Sequence, residues 1–346
     1  MRIWAGLDVG VEQTSVCVVD DRGKILQQTT CRSSPIEVRR ELGWLRRRRA
    51  AVIGVEASSG TNLARNLIDA GYSVQIYETR QLSKLLRANR NKTDAGDAFG
   101  IAEAARIGST LISRVFLKSL ESQTLQSRLT IRQHLLKQRV RGANLFGRQL
   151  ELFGGRVRPP LKGPDFFKRA ELELKSVLGN SQKALSSELR CLLQQLRQID
   201  DYLRLKDQEL LREARLLAPC KRFLAIPGVG PMCALSFYST VGDPYRFKRC
   251  ADIGPYLGLT PILHQSGLTT RAGKISKMGN KQTRTLLVHS AQCFMKWSEP
   301  QTRLRLWTLQ VEQRRGRRRA TVALARKLAT IMIAMWKSGA DFRSCN

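Results

Sequence analysis

The first hundred residues alternate short β-branched runs with helix-patterned stretches, and few architectures other than an α/β sheet accept that alternation. Residues 3–9, 15–20 and 24–30 read as strands. The last two are joined by the turn Asp20-Asp21-Arg22-Gly23, which makes an antiparallel meander. A basic amphipathic helix over about 35–49 follows, then a strand at 51–56, a helix at 61–70, a strand at 73–77 and helices near 81–88 and 94–107. A meander followed by alternating helix and strand predicts one sheet of mixed direction.

From about residue 120 to 217 the chain turns strand-poor and rich in Leu, Gln, Arg and Glu, the composition of long helices. Leu185, Leu189, Leu192, Leu196, Ile199 and Leu203 recur at 4-3-4-3-4 spacing. That fits a coiled coil or a long antiparallel hairpin, and equally one face of an ordinary bundle helix, because the register lasts under three heptads. Gly154-Gly155 and Pro159-Pro160 break this region into two arms. A third region opens near Pro219. The predicted organisation is an α/β domain over 1–112, a helical coiled-coil arm over 113–217 and a mostly α domain over 218–346.

Sixty Lys and Arg face 28 Asp and Glu, a net charge of +32, which is the electrostatic footprint of a polyanion partner. From Gln265 to Asn346 there are 17 basic residues and three acids, so the excess is concentrated at that end. A membrane partner fits poorly. The longest apolar run near the C-terminus, 328–336, falls well short of the ~18–20 residues a span requires. Asp8 interrupts what would be a signal peptide's apolar core, so a cytoplasmic protein is expected. Eight scattered cysteines without a C-x-x-C, and only three histidines, argue for buried reduced thiols rather than a zinc site.

The chemistry-bearing residues are acids in apolar surroundings and hydroxyls among cations. Asp8 lies inside the apolar run Gly6-Leu7-Asp8-Val9-Gly10, and Glu56 ends Ile53-Gly54-Val55-Glu56. Asp94 and Asp97 stand i,i+3 at a helix start and share one face. Each alone has an ordinary explanation as a cap, a turn acid or a strand end. Four together suit two Mg²⁺ ions for an in-line phosphoryl displacement. Asp8-x-Gly10-x-x-x-Thr14 also fits the first phosphate loop of actin-like ATPases, whereas a P-loop fails because Ile275 follows Lys274 where Ser or Thr is required. Gly228 and Gly230 in Ile226-Pro227-Gly228-Val229-Gly230 suit the hairpin of a helix-hairpin-helix module, or a plain turn between helices. The segment 264–280 is glycine-spaced, hydroxyl-rich and basic, and reads as a phosphate-handling loop. In it Ser266 is a candidate nucleophile, with Arg271, Lys274 and Lys277 to neutralise phosphate charge. Arg46, Arg47, Arg48 and Arg49, and the tract 314–319, are candidate grips on a nucleic-acid backbone.

In this order Gly6-Leu7-Asp8, Val55-Glu56-Ala57-Ser58, Asn91-Lys92-Thr93-Asp94-x-x-Asp97-Ala98, Ile226-Pro227-Gly228-Val229-Gly230, Gly258-Leu259-Thr260-Pro261 and Gln265-Ser266-Gly267 resemble the DEDD insertion-sequence transposases, the Piv/MooV-like one-ten and eleven-eleven groups. The resemblance covers essentially the whole chain. It implies a RuvC-like, RNase H-type N-terminal domain, a coiled-coil arm and a C-terminal transposase domain. Asp8, Glu56, Asp94 and Asp97 occupy the family's Mg²⁺-binding positions, and Ser266 its nucleophilic serine. The implied enzyme is a recombinase of donor and target DNA, guided by a structured noncoding bridge RNA. The two sites are contributed by different protomers of a dimer or tetramer. Leu268-Thr269-Thr270 follows Ser266-Gly267 where the family often carries a second serine. The rival readings are a junction-resolving nuclease that uses water at the four acids, a non-enzymatic architectural protein, and the ATPase.

Overall fold

The computed structural model of the chain describes residues 2–47, 51–58, 60–87, 93–108, 112–178, 182–266 and 269–342. It divides into two compact units, Met1–Leu117 and Lys118–Asn346.

In the first unit the order is β1 (Ile3–Val9), β2 (Gln13–Val19), β3 (Ile25–Arg32), α1 (Pro35–Glu41), β4 (Ala51–Glu56), α2 (Thr61–Asp69), β5 (Val74–Tyr77), α3 (Thr79–Leu86) and α4 (Asp94–Ile107). The sheet runs β3-β2-β1-β4-β5, with β1, β2 and β3 antiparallel neighbours and β4 and β5 parallel to β1. This is the RNase H-type order and polarity that the resemblance implies. Odd residues of β1, Ile3, Ala5 and Leu7, are buried with Val38, Leu42, Leu63 and Leu67 on the side of α1 and α2. The even side carries α4. A Cβ on Gly6 would lie 2.1 Å from the Ala98 carbonyl oxygen and 2.3 Å from the Ala102 nitrogen, so the helix rests on bare strand backbone. Gly54 on β4 is the neighbouring rest, beside Ile101 and the Tyr77 ring.

The single basic helix expected over 35–49 is instead the seven-residue α1 followed by a 3-10 turn, Gly43–Arg47. Leu42 and Leu45 both reach the core, and Trp44 Nε1 donates to Gln27 Oε1 at 2.7 Å. Residues 48–50 lie outside the described residues.

The second unit contains α5 (Leu120–Glu151), α6 (Pro164–Leu178), α7 (Lys183–Leu216), α8 (Ala218–Phe223), α9 (Pro231–Val241), α10 (Ile253–Tyr256), β6 (Pro261–Ser266), β7 (Thr269–Ile275), α11 (Lys281–Trp297), α12 (Arg303–Arg315) and α13 (Arg317–Ser338). The boundary expected at 217/218 does not separate compact units. Leu125 and Leu129 of α5 and Leu210 and Ala214 of α7 share one core with Phe223, Phe237, Leu287, Phe294 and Leu328, so the lower arm and the C-terminal helices pack as one body.

α5 and α7 run antiparallel, joined by Arg128–Glu213 at 2.7 Å, Arg132–Asp207 and Arg139–Asp200 at 3.4 Å. The buried positions of α7 are Ser186, Leu189, Leu193, Leu196, Leu203, Leu210 and Ala214, and Asp200 and Asp207 fill the two gaps in a continuous 3-4 repeat. The seam therefore passes through Leu193 and Asp200, while Leu192 and Ile199 of the expected series fall on its flank. Acids in the seam hide it from an apolar count. Arg139 is only 9% exposed and also donates to the Leu161 carbonyl at 2.9 Å. Removing one partner of such a pair strands the other charge, whereas removing both does not. Arg139→Met is expected to destabilise by about 1–3 kcal/mol, and Arg139→Met with Asp200→Leu by less than the single change, as measured by urea unfolding.

Candidate active site

Asp8 and Glu56 are brought side by side by backbone register. β1 and β4 pair in parallel up to Leu7 opposite Val55, and the next residue on each strand is the acid. Each acid lies two residues beyond the glycine on which α4 rests, and so on the α4 side of the sheet. The helix runs against β1. Its C-terminal residues Glu103 and Arg106 sit by Gly23 and Asp21 at the opposite end of the sheet, and Arg106 Nη1 donates to the Asp21 carbonyl at 3.2 Å. Its start, with Asp94 and Asp97 in the first turn, is therefore at the end where β1 and β4 finish. Thr93 caps that start, its Oγ1 accepting from the Gly96 N–H at 3.0 Å. Aligned peptide dipoles there favour carboxylates. Asp8, Glu56 and Asp97 are half-buried and Asp94 is exposed.

All four expected acids thus belong to one end of one sheet face. Their side chains are not drawn into a single coordination group: among the described residues, no three His, Cys, Asp or Glu stand together closely enough to hold a metal ion. The donor set is all hard carboxylate oxygen, which fits a Mg²⁺-type cation and not a soft metal. The phosphate-loop alternative is disfavoured locally. Thr14 is fully buried on β2 and its hydroxyl hydrogen-bonds Ser33 Oγ at 2.8 Å.

The segment read from sequence as a loop is an antiparallel hairpin, β6 with β7, whose two hydroxyl-bearing ends Ser266 and Thr269 face each other. Its residues mix apolar, hydroxyl, amide and cationic side chains without strict alternation, so the period-2 signal of a strand is absent. Ser266 is exposed, and Thr269 Oγ1 donates to its carbonyl at 2.9 Å. Register pairs Arg271 with His264, and His264 is two residues from Ser266, so all three share one face of the ribbon. Lys274 lies where the register slips, and Lys277 adopts φ 55° just after the hairpin. Both are exposed.

The base of the hairpin is clamped by backbone. Ser276 N–H donates to Thr260 O at 2.9 Å and Lys277 N–H to Gly258 O at 3.2 Å. A Cβ on Gly258 would meet the Met278 carbonyl oxygen at 2.3 Å, which is why Gly-Leu-Thr-Pro begins as it does. Arg284 of α11 donates to the carbonyls of Leu257 and Met278 at 3.0 and 2.8 Å, and its burial lowers its pKa. Sequence reading missed Arg284, because a lone arginine in a basic helix carries no pattern.

Other candidates are placed differently. Gly228, at φ +81°, packs on α11, where a Cβ would lie 2.5 Å from the Phe294 nitrogen, so its missing side chain serves helix packing. Gly230 is exposed with open space before α9. Arg46 and Arg47 belong to the 3-10 turn, and Arg48 lies outside the described residues. Cys17, Cys31, Cys220 and Cys233 are buried free thiols, and burial pushes Cys17 and Cys233 up to about 11, far from thiolate chemistry. No helix among the described residues is long and apolar enough to cross a membrane.

Comparison with known proteins places both halves. Residues 5–153 match a DEDD transposase family and residues 220–306 the transposase IS116/IS110/IS902 family. The transposase for insertion sequence element IS1111A of Coxiella burnetii is 30% identical over 95% of this chain and 88% of its own length. A probable family 20 transposase of Pseudomonas aeruginosa is 28% identical over 82% and 83%. The transposase for insertion sequence element IS1328 of Yersinia enterocolitica is 27% identical over 84% and 85%. Among solved structures, Thermus thermophilus RuvC aligns over 33% of this chain and all of its own, at 18% identity and a TM-score of 0.24. With its acids at the end of an RNase H-type sheet and relatives matching along nearly its full length, the chain belongs to the IS116/IS110/IS902 family of DEDD transposases.

Proposed function

We propose that this transposase cuts and rejoins DNA with two chemistries in one polypeptide: carboxylates that hold Mg²⁺ at Asp8, Glu56, Asp94 and Asp97, and a covalent serine step at Ser266. The observation that carries the first is the shared end of β1, β4 and α4. On this reading the four acids turn toward a common ion from that shared end. Mg²⁺, when bound, supplies positive charge to the non-bridging and leaving oxygens of a phosphodiester. The chain's own contribution is to fix the donors and to set them at a helix N-terminus.

The second rests on the exposed hydroxyl of Ser266 at the tip of a clamped ribbon with Arg271 on its face. Oγ attacks a DNA phosphorus, a new Oγ–P bond forms as the P–O bond to a deoxyribose oxygen breaks, and the serine proton leaves with that alcohol. Arg271, with Lys274 and Lys277 nearby, offsets the charge that grows on the phosphate oxygens. Attack by the freed alcohol on the phosphoserine reverses the step and rejoins DNA, so the bond energy is conserved. The two sites act from different protomers of a dimer or tetramer. The net charge of +32 suits a second polyanion, a structured noncoding bridge RNA that pairs with donor and target DNA and supplies sequence choice, in the cytoplasm.

With end-labelled donor DNA, Ser266→Ala is expected to abolish the protein-linked adduct and to lower rejoined product by about 10³-fold or more. Asp97→Asn is expected to lower cleavage itself by a similar factor. Cleavage that survives Ser266→Ala with undiminished product would instead mark a water-using junction nuclease. Sequencing of RNA copurified with the wild-type protein is expected to return one discrete species from the element's flank. A featureless mixture of cellular RNA would contradict guidance.

A further inference from the structure

The sheet of the first unit does not stop at β5. The chain that leaves α4 returns along the β5 edge: Glu78 N–H donates to the Ser113 carbonyl at 3.1 Å and Val115 N–H to the Ile76 carbonyl at 2.7 Å, on either side of an antiparallel pair of Tyr77 with Arg114. Ser113 N–H donates in turn to Gln81 Oε1 at 2.7 Å. The segment covers an edge that would otherwise lie open, and its backbone is fixed there. Bonds that flank a pair, rather than join it, mark the closely spaced kind, in which the two side chains leave the same face. Tyr77 is fully buried on the α4 side, with its ring beside Gly54. Arg114 therefore points to the α4 side too, and it is exposed. Burial pushes the Tyr77 hydroxyl up to about 12, and the nearby Arg114 charge acts against that rise.

Register places this arginine in one line with two of the acids. Thr30 pairs with Ser15 and Ser15 with Asp8; Glu56 stands beside Asp8 and pairs with Tyr77, which pairs with Arg114. The row across the sheet end thus has hydroxyls on one flank of the acids and a guanidinium on the other. None of the ion pairs among the described residues involves Arg114. Neighbouring strands lie ~4.8 Å apart, so the Arg114 backbone is two steps, about 10 Å, from that of Glu56. Along one DNA strand, at ~3.4 Å per phosphate, that is about three phosphates. Carboxylates at the cleavage site repel every phosphate near them, and a fixed cation at this distance offsets that repulsion for one.

We propose that Arg114 is a phosphate-binding residue of the cleavage reaction, holding the DNA strand about two or three nucleotides from the scissile linkage so that the strand crosses the sheet end along this row. The inference rests on the carboxylate reading above and gives that site the line on which its substrate strand lies.

The test uses the full-length protein and donor DNA in which single phosphates, over about four linkages on either side of the cut, are replaced one at a time by an uncharged methylphosphonate. Arg114→Gln is expected to lower kcat/KM on unmodified DNA about tenfold, the usual worth of one charge-assisted hydrogen bond, through KM and with kcat within about twofold. Wild-type protein is expected to lose a similar factor at one linkage about two or three nucleotides from the cut, and Arg114→Gln to lose nothing further at that same linkage. Mn²⁺ binding and urea unfolding of the variant are expected to match wild type. An unchanged KM, equal losses in wild type and variant at every linkage, or a fall confined to kcat overturns the assignment while leaving the carboxylate reading standing. An Asp97→Asn variant that cleaves as wild type does overturns both.

Discussion

A helix can lie directly on strand backbone only where the strand has no side chain to hold it off. Gly6 meets that condition at the centre of β1, with the Ala98 and Ala102 backbone closer than any Cβ allows. Small residues on the facing helix complete the approach, Ala98, Ala102 and Ala105 all being buried. The consequence reaches the chemistry through geometry alone. A helix seated that low, running against β1 and capped at Thr93, delivers Asp94 and Asp97 to the end of the sheet where Asp8 and Glu56 already stand in register. Bulk at Gly6 would lift the helix and move two acids away from the other two, without touching any of the four.

Close backbone approach also organises the second unit. Gly258 lets the chain leaving β7 pass against the chain entering β6, and Arg284 ties both to α11 through two carbonyls. The ribbon that carries Ser266 is therefore fixed at its root while Ser266 itself is exposed, which is the arrangement that the proposed nucleophile requires to keep its aim. In the arm, charge replaces close approach as the device that sets position. Arg132 with Asp207 and Arg139 with Asp200 interrupt an otherwise leucine-rich seam, and a one-turn slip of α5 along α7 would separate both pairs.

Much of the first unit was legible because its signals are local. Strand β4 and helix α4 fall on the boundaries that the β-branched run and the Thr93-Asp94-x-x-Asp97 start indicate. The acids stood out because a carboxylate in an apolar strand needs a reason. The serine hairpin was illegible as a strand pair, since His264, Gln265 and Ser266 on one side and Thr270, Arg271 and Ala272 on the other carry no alternation, both faces being solvated. The helical seam was half legible. Its leucines were visible, but Asp200 and Asp207 read as surface residues until their arginine partners, over sixty residues away in sequence, were in place. Gly228 illustrates the opposite error: a glycine in a phosphate-binding pattern whose space is taken by the backbone of α11.

The central claim is that the sheet end and the start of α4 form one divalent-cation site. Mn²⁺ titration of the full-length protein, followed by electron paramagnetic resonance with Mg²⁺ as competitor, addresses it without reference to DNA. The account predicts Mn²⁺ bound by the wild-type chain, displaced by Mg²⁺, and lost from a folded Asp8→Asn, Asp97→Asn double variant. A wild-type protein that takes up no more Mn²⁺ than that variant would contradict it.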